Sequence, residues 1–166
     1  MRRALASWGL VLALAGCHVH YGLSGGTIPH GAKTLSVTVF DARAPLCAPR
    51  SAQLLTETIR DLMQAQTPLD LVQRDGDVQY EGAVVGYDVQ PVAIQANETA
   101  AMNRLTITVS VHYTNKLEPK ASADISASRF ADYPSSQSLT TVEAGLVQDI
   151  SKQLAQDIFD KTLGNW

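Results

Sequence analysis

Apolar and polar residues alternate along much of this chain, and the clearest run is "NRLTITVSVHYTNK", residues 103–116. Leu105, Ile107, Val109, Val111 and Tyr113 occupy every second position, with Thr106, Thr108, Ser110 and His112 between them. A period of two gives a strand one apolar face and one polar face. "KTLSVTVFDAR" (33–43) reads the same way, with Leu35, Val37 and Val39 on one side and Ser36 and Thr38 on the other. In "DVQYEGAVVGYDVQP" (77–91), Val78, Tyr80, Gly82 and Val84 share a face. Gly82 and Gly86 there suggest a bulge or a close backbone approach. "LDLVQ" (69–73) is a shorter candidate, and whether it forms a separate strand is left open. "LEPK" reads as a hairpin turn that lets "ASADISASRFADY" (121–133) pair back.

Two segments carry the helical period instead. In "SAQLLTETIRDLMQAQ" (51–66), Leu54, Leu55, Ile59, Leu62 and Met63 make one apolar face. Ser51 is the expected cap and Pro68 the stop. In the last segment (134–166), Leu139, Val142, Leu146, Ile150, Leu154 and Ile158 mark the face of a long helix, opened by a Thr140–Glu143 capping-box pattern. "IQANETAAMN" (94–103) is a polar loop. The order is β-α-β-β-β-β-α. It predicts an α+β, two-layer sandwich, with both amphipathic helices on one face of a four-stranded mixed sheet and one extra short strand as an option.

The N-terminal pattern is different. Arg2 and Arg3 precede an apolar run from Ala4 to Gly16, which stops at Cys17. The run falls short of the roughly 20 residues that cross a bilayer as a helix. A charged start, a short apolar centre and small residues before the break describe a secretory signal peptide. "LAGC" (14–17) resembles the lipobox of bacterial lipoproteins, in which the cysteine thiol is acylated and the chain is cut just before it. The expected organisation is a signal peptide over 1–16, a lipidated Gly-rich tether over 17–32 and one α+β domain over 33–166. Two or more acyl chains anchor stably, so the domain is expected to be tethered to a membrane surface.

Charge and composition narrow the role. Without Arg2 and Arg3 the chain has 11 basic and 16 acidic residues, a net charge near −5. That is too acidic for nucleic acid. With Cys17 acylated, Cys47 alone remains and has no internal disulfide partner; it reads as a small packed hydrophobe. The chain lacks G-x-S-x-G, H-E-x-x-H, C-x-x-C and P-loop patterns. His18 and His20 stand two apart on a flexible tether and make a poor metal site. His112 belongs to a polar strand face. Asp41 with Arg43, and Arg60 with Asp61, read as surface charges. No enzyme, cofactor or metal is expected.

Several stretches together resemble LptE-type lipoproteins, the small partner in lipopolysaccharide assembly. They are the lipidated cysteine, Tyr21, Gly26-x-x-Pro29-x-Gly31, and Lys33-Thr34 opening a strand that ends in Phe40. Residues 80–116 and 128–166 resemble the versions of Bacteroidetes-like bacteria. "RAPLCAP" (43–49) departs from relatives, which tend to have a Cys-free turn containing Asn; Cys47 is unexplained by the family.

The resemblance implies two helices on a four-stranded sheet, with no catalysis. It implies an outer-membrane, lipid-anchored protein that plugs an LptD-type β-barrel, helps it assemble and serves lipopolysaccharide insertion. A barrel lumen is polar, so the candidate barrel contacts are polar residues: Asn97, Glu98, Asn103, Thr106, Thr108, Ser110, Tyr133, Ser135 and Ser136. Phosphorylated headgroups favour basic side chains. The candidate lipopolysaccharide contacts are Lys33, Arg104, Lys116, Lys120 and Arg129. The alternative is a periplasm-facing lipoprotein holding an amphiphile in its own apolar cavity.

Overall fold

The computed structural model describes residues 28–92 and 101–164. The expected signal peptide, Cys17, most of the tether, and the candidate contacts Asn97 and Glu98 lie outside them. The elements are β1 (Thr34–Val37), β2 (Asp41–Ala42), α1 (Pro49–Gln66), β3 (Asp70–Val72), β4 (Val78–Val92), β5 (Met102–Asn115), β6 (Ala123–Pro134) and α2 (Leu139–Thr162). They form one mixed sheet in the order β3-β1-β4-β5-β6, with β2 also paired to β4. The architecture is the expected α+β sandwich. The sheet has six strands rather than four, because 69–73 does supply a strand, parallel to β1, and the first strand is split in two.

The split corrects the reading of residues 33–43. Alternation placed Val39 beside Leu35 and Val37, yet Val39 is 53% exposed and Phe40 is 2% exposed. The chain leaves the sheet after Val37 and turns Phe40 inward over Gly82. A Cβ at Gly82 would lie 2.7 Å from the Phe40 ring and 2.8 Å from the Ser110 carbonyl. The glycine is therefore a seat for the ring. A phenylalanine buries more apolar area than a valine, which favours the swap. Helix α1 satisfies the backbone groups that the break frees. Thr56 Oγ1 accepts from the Phe40 N–H (3.0 Å), and the Arg60 guanidinium donates to the Val37 carbonyl (2.6 and 3.2 Å). Arg60 is thus a structural donor, not the surface charge that its neighbour Asp61 suggested.

Helix caps also differ from expectation. Helix α1 starts one turn earlier than Ser51 would place it, with Ala48 as N-cap and Pro49 at the first position. Proline suits that position because its missing N–H is not needed there. Helix α2 starts after Ser138, and no side chain caps its backbone. Glu143 does not fold back on Thr140; it accepts a hydrogen bond from the Tyr87 hydroxyl.

The core lies between the helices and the inward face of β4–β5–β6. Leu35, Val78, Leu105, Val109, Val111, Ile59 and Met63 are at or near zero exposure, and Ile150, Leu154 and Ile158 of α2 close over them. Tyr80 packs on Tyr113 with ring centroids 5.3 Å apart, and its hydroxyl meets Thr162 Oγ1 at 2.7 Å. Burial pushes the Tyr80 phenol far up from its ordinary pKa. The register of β4 against β5 shifts between Val84 and Gly86. This bulge moves the inward set from even positions (Val78, Tyr80) to odd ones (Tyr87) and leaves Val85 outside.

Candidate partner-binding face

Both helices pack on the same side of the sheet, so the other side has no layer over it among the described residues. The polar set of β5 points there. Thr106 and Thr108 are half-buried, while Ser110 and His112 are exposed. Each has polar neighbours across the strands. Thr108 Oγ1 lies 2.9 Å from Ser128 Oγ, and His112 Nδ1 lies 2.6 Å from Asp124 Oδ1. Glu81 of β4 stands opposite His112. At the far end Arg104 holds Asp132 through two hydrogen bonds of 2.7 and 2.8 Å. That pairing draws the Asp132 carboxyl below its ordinary pKa. The Arg104 guanidinium also sits 3.6 Å over the Phe130 ring.

The other candidates are placed less uniformly. Ser135 and Ser136 are exposed just beyond β6, and the Ser135 N–H donates to the Ala101 carbonyl at 2.9 Å. They therefore adjoin the end of the sheet where the chain leaves for residues 93–100. Asn103 and Tyr133 pair with each other across β5 and β6, on the helix side of the sheet. Tyr133 is only 4% exposed, packed in the core. It leaves the contact set, because the alternation that exposes Asp132 turns Tyr133 inward.

The basic candidates fall into two groups. Lys33, Lys116 and Lys120 are exposed and gather where β1 begins and the β5–β6 turn closes. The Lys33 N–H donates to Asp77 Oδ2 and the Lys116 N–H to the Asp77 carbonyl. The Lys33 N–H, with the Thr34 hydroxyl and N–H, holds the Asp77 carboxyl below its ordinary pKa. Lys116 Nζ also donates to the Asp75 carbonyl at 3.0 Å. Arg104 and Arg129 lie elsewhere and are already engaged, Arg104 by Asp132 and Arg129 by Asp157 of α2.

Sequence reasoning missed Phe130, which is 47% exposed on an otherwise polar face. Its even position, on the same face as Ser126 and Ser128 and alternating with Ile125 and Ala127, was a legible signal.

The void beside Cys47 in the core is about 10 Å³, whereas small-molecule pockets run to about 300–1,000 Å³. The larger depressions are open surface clefts. One, of about 390 Å³, lies between the N-termini of α1 and α2. No group of three or more His, Cys, Asp or Glu converges on a metal-sized site among the described residues. Cys47 is 8% exposed, its Sγ lies 3.6 Å from the Ala48 carbonyl, and burial raises its pKa. No described helix is long and apolar enough to cross a membrane.

A family model described as "LptE: Lipopolysaccharide-assembly" matches residues 32–162. Among solved structures, the fold is similar to a minor lipoprotein from Acinetobacter baumannii (TM-score 0.50, 17% identity, 78% of this chain and 91% of that one). It is also similar to an uncharacterized lipoprotein B from Nitrosomonas europaea (TM-score 0.52, 13% identity, 87% and 88%). At such identities the likeness concerns the fold alone. No curated protein matches the sequence.

Proposed function

Because the chain belongs to the LptE lipopolysaccharide-assembly family, we propose that it acts as a non-enzymatic plug. It would sit inside an LptD-type outer-membrane β-barrel and help that barrel assemble and deliver lipopolysaccharide to the outer leaflet. A role in lipopolysaccharide assembly comes with the family; the barrel, the plug geometry and the outer membrane are the proposal. Acylated Cys17 would anchor the chain, and residues 17–32 would give the domain reach from the membrane.

One observation carries this reading. The face of the sheet without helices is regular and mostly polar, with Ser110, His112, Asp124, Ser126 and Ser128 exposed on it beside one large apolar side chain of β6, Phe130. A polar barrel lumen can take such a face with little apolar surface to bury. Ser135 and Ser136 extend the contact at one end. At the other end Lys33, Lys116 and Lys120 offer ammonium groups to lipid phosphates. Arg104 and Arg129 are the weaker phosphate candidates, since carboxylates already satisfy them.

The test is co-purification of the LptD-type barrel from the same genome with variants of the exposed face. Ser110→Arg and Ser128→Arg together should cut barrel recovery at unchanged stability. Full recovery with both would remove this face from the contact.

A further inference from the structure

Among the described residues strand β6 is an edge of the sheet, since it pairs there only with β5. It is long, Ala123–Pro134, and its register with β5 runs from Tyr113↔Ala123 to Met102↔Pro134 without a shift. The opposite edge, β3, is three residues long. Long regular edges carry unpaired backbone groups, and proteins usually blunt them with bulges, prolines or charges.

Two observations fix which backbone groups of β6 face outward. The Ser135 N–H donates to the Ala101 carbonyl across the β5 side, so odd positions point toward β5. The Ser126 carbonyl accepts instead from Lys161 Nζ of α2, at 2.9 Å, so even positions point away. In an antiparallel pair these directions alternate strictly. The N–H and C=O of Ser128, Phe130 and Asp132 therefore face outward, as does the Ser126 N–H. None of them makes a backbone hydrogen bond among the described residues. The guard from α2 reaches the Ser126 carbonyl and stops; the Arg129–Asp157 pair lies on the helix side of the strand.

The same even positions put their side chains on the polar face. There the Arg104 guanidinium stacks on the Phe130 ring. An added strand would place one of its own side chains beside that half-exposed ring. Aromatic cross-strand pairs of this kind stabilise sheets. Backbone bonds would supply affinity, and the Phe130 site would supply selectivity.

We infer that the β6 edge, over residues 126–132, receives an extended segment of the barrel partner as an added antiparallel or parallel strand. This rests on the barrel-plug reading. A second copy of this chain fits less well. Antiparallel self-pairing centred on Ser128 sets Asp124 against Asp132 of the copy, and like charges directly opposite are unfavourable.

The experiment uses the full chain co-expressed with the LptD-type barrel of the same genome. Ser128→Pro removes one outward N–H and sets a ring in the path of a neighbouring strand; an edge strand tolerates such a proline. Phe130→Ala tests the side-chain site without touching the backbone. Thermal melts of each variant alone verify folding. Barrel recovery should fall about tenfold with Ser128→Pro, the equivalent of losing one to two hydrogen bonds. In the wild-type complex the Ser128 and Phe130 amides should exchange with solvent far more slowly than in the free chain. Undiminished recovery with folded Ser128→Pro, and fast exchange at both amides, would overturn the edge proposal and leave the plug reading standing. Absence of any barrel with the wild-type chain would sink both. A wild-type dimer that Ser128→Pro dissociates would give the edge to a second copy and overturn the proposal.

Discussion

The two faces of β5 are built from alternate residues of one strand, yet they have opposite physical roles. Leu105, Val109 and Val111 are fully buried under the helices, while Ser110 and His112 between them are exposed. Every inward side chain loses its water to neighbours within this chain. The outward ones keep theirs, or exchange it for hydrogen bonds to Ser128 and Asp124. Stability should therefore concentrate on odd positions and partner recognition on even ones. A substitution that moves both properties together would break this separation.

The largest stability effect should come from the inward face. Leu154→Ala or Leu105→Ala, each at zero exposure, should cost about 2–5 kcal/mol in denaturant unfolding. Gly82→Ala should come next, at about 1–3 kcal/mol, because its Cβ would press on the Phe40 ring and the Ser110 carbonyl. Phe40→Leu in the same chain should return part of that loss, since the shorter side chain vacates the seat. Thr108→Ala on the outward face should change stability by no more than about 0.5 kcal/mol, and Ser110→Arg likewise, while lowering barrel recovery.

Acid sharpens the contrast at the ends of the sheet. The folded chain lowers the Asp77 carboxyl through the Lys33 and Thr34 N–H groups and the Thr34 hydroxyl, and lowers Asp132 through Arg104. A depressed folded pKa stabilises the fold above the unfolded value, 3.8 for both, and that stabilisation fades as pH falls through the lower folded value. Urea midpoints measured from pH 5 downward should drop below about pH 4, and less steeply in Asp77→Asn. The smallest effect belongs to the lysine end. Lys33→Ala, Lys116→Ala and Lys120→Ala together should leave barrel recovery unchanged while weakening binding of purified lipopolysaccharide. Unchanged lipopolysaccharide binding would remove the phosphate role from that end.

Much of this was legible in the sequence, for a specific reason. Period two in residues 105–113 assigned both faces of β5, because each inward position there is independently apolar. The same logic failed at 33–43. There Val39 and Phe40 compete for one inward place, and the winner depends on a distant glycine, Gly82, whose missing Cβ makes the space. Capping failed at Ser51 and at Thr140. Pro49 starts α1 earlier, and Tyr87, 56 residues before Glu143, takes the carboxylate that a local motif would have used. The polar face of the candidate site followed from alternation, whereas the Arg104–Asp132–Phe130 group did not, since it needs the β5–β6 register. Tyr133 enters the polar set through its hydroxyl, although its odd position in the strand already turns it inward.

If this chain works inside a large β-barrel, it should leave native membranes with that barrel bound. The most direct measurement is affinity purification of the tagged, full-length protein from native membranes, followed by mass spectrometry of what accompanies it. A stoichiometric LptD-type barrel in the outer-membrane fraction is the expected result. A clean, lipid-modified chain without any barrel would contradict it.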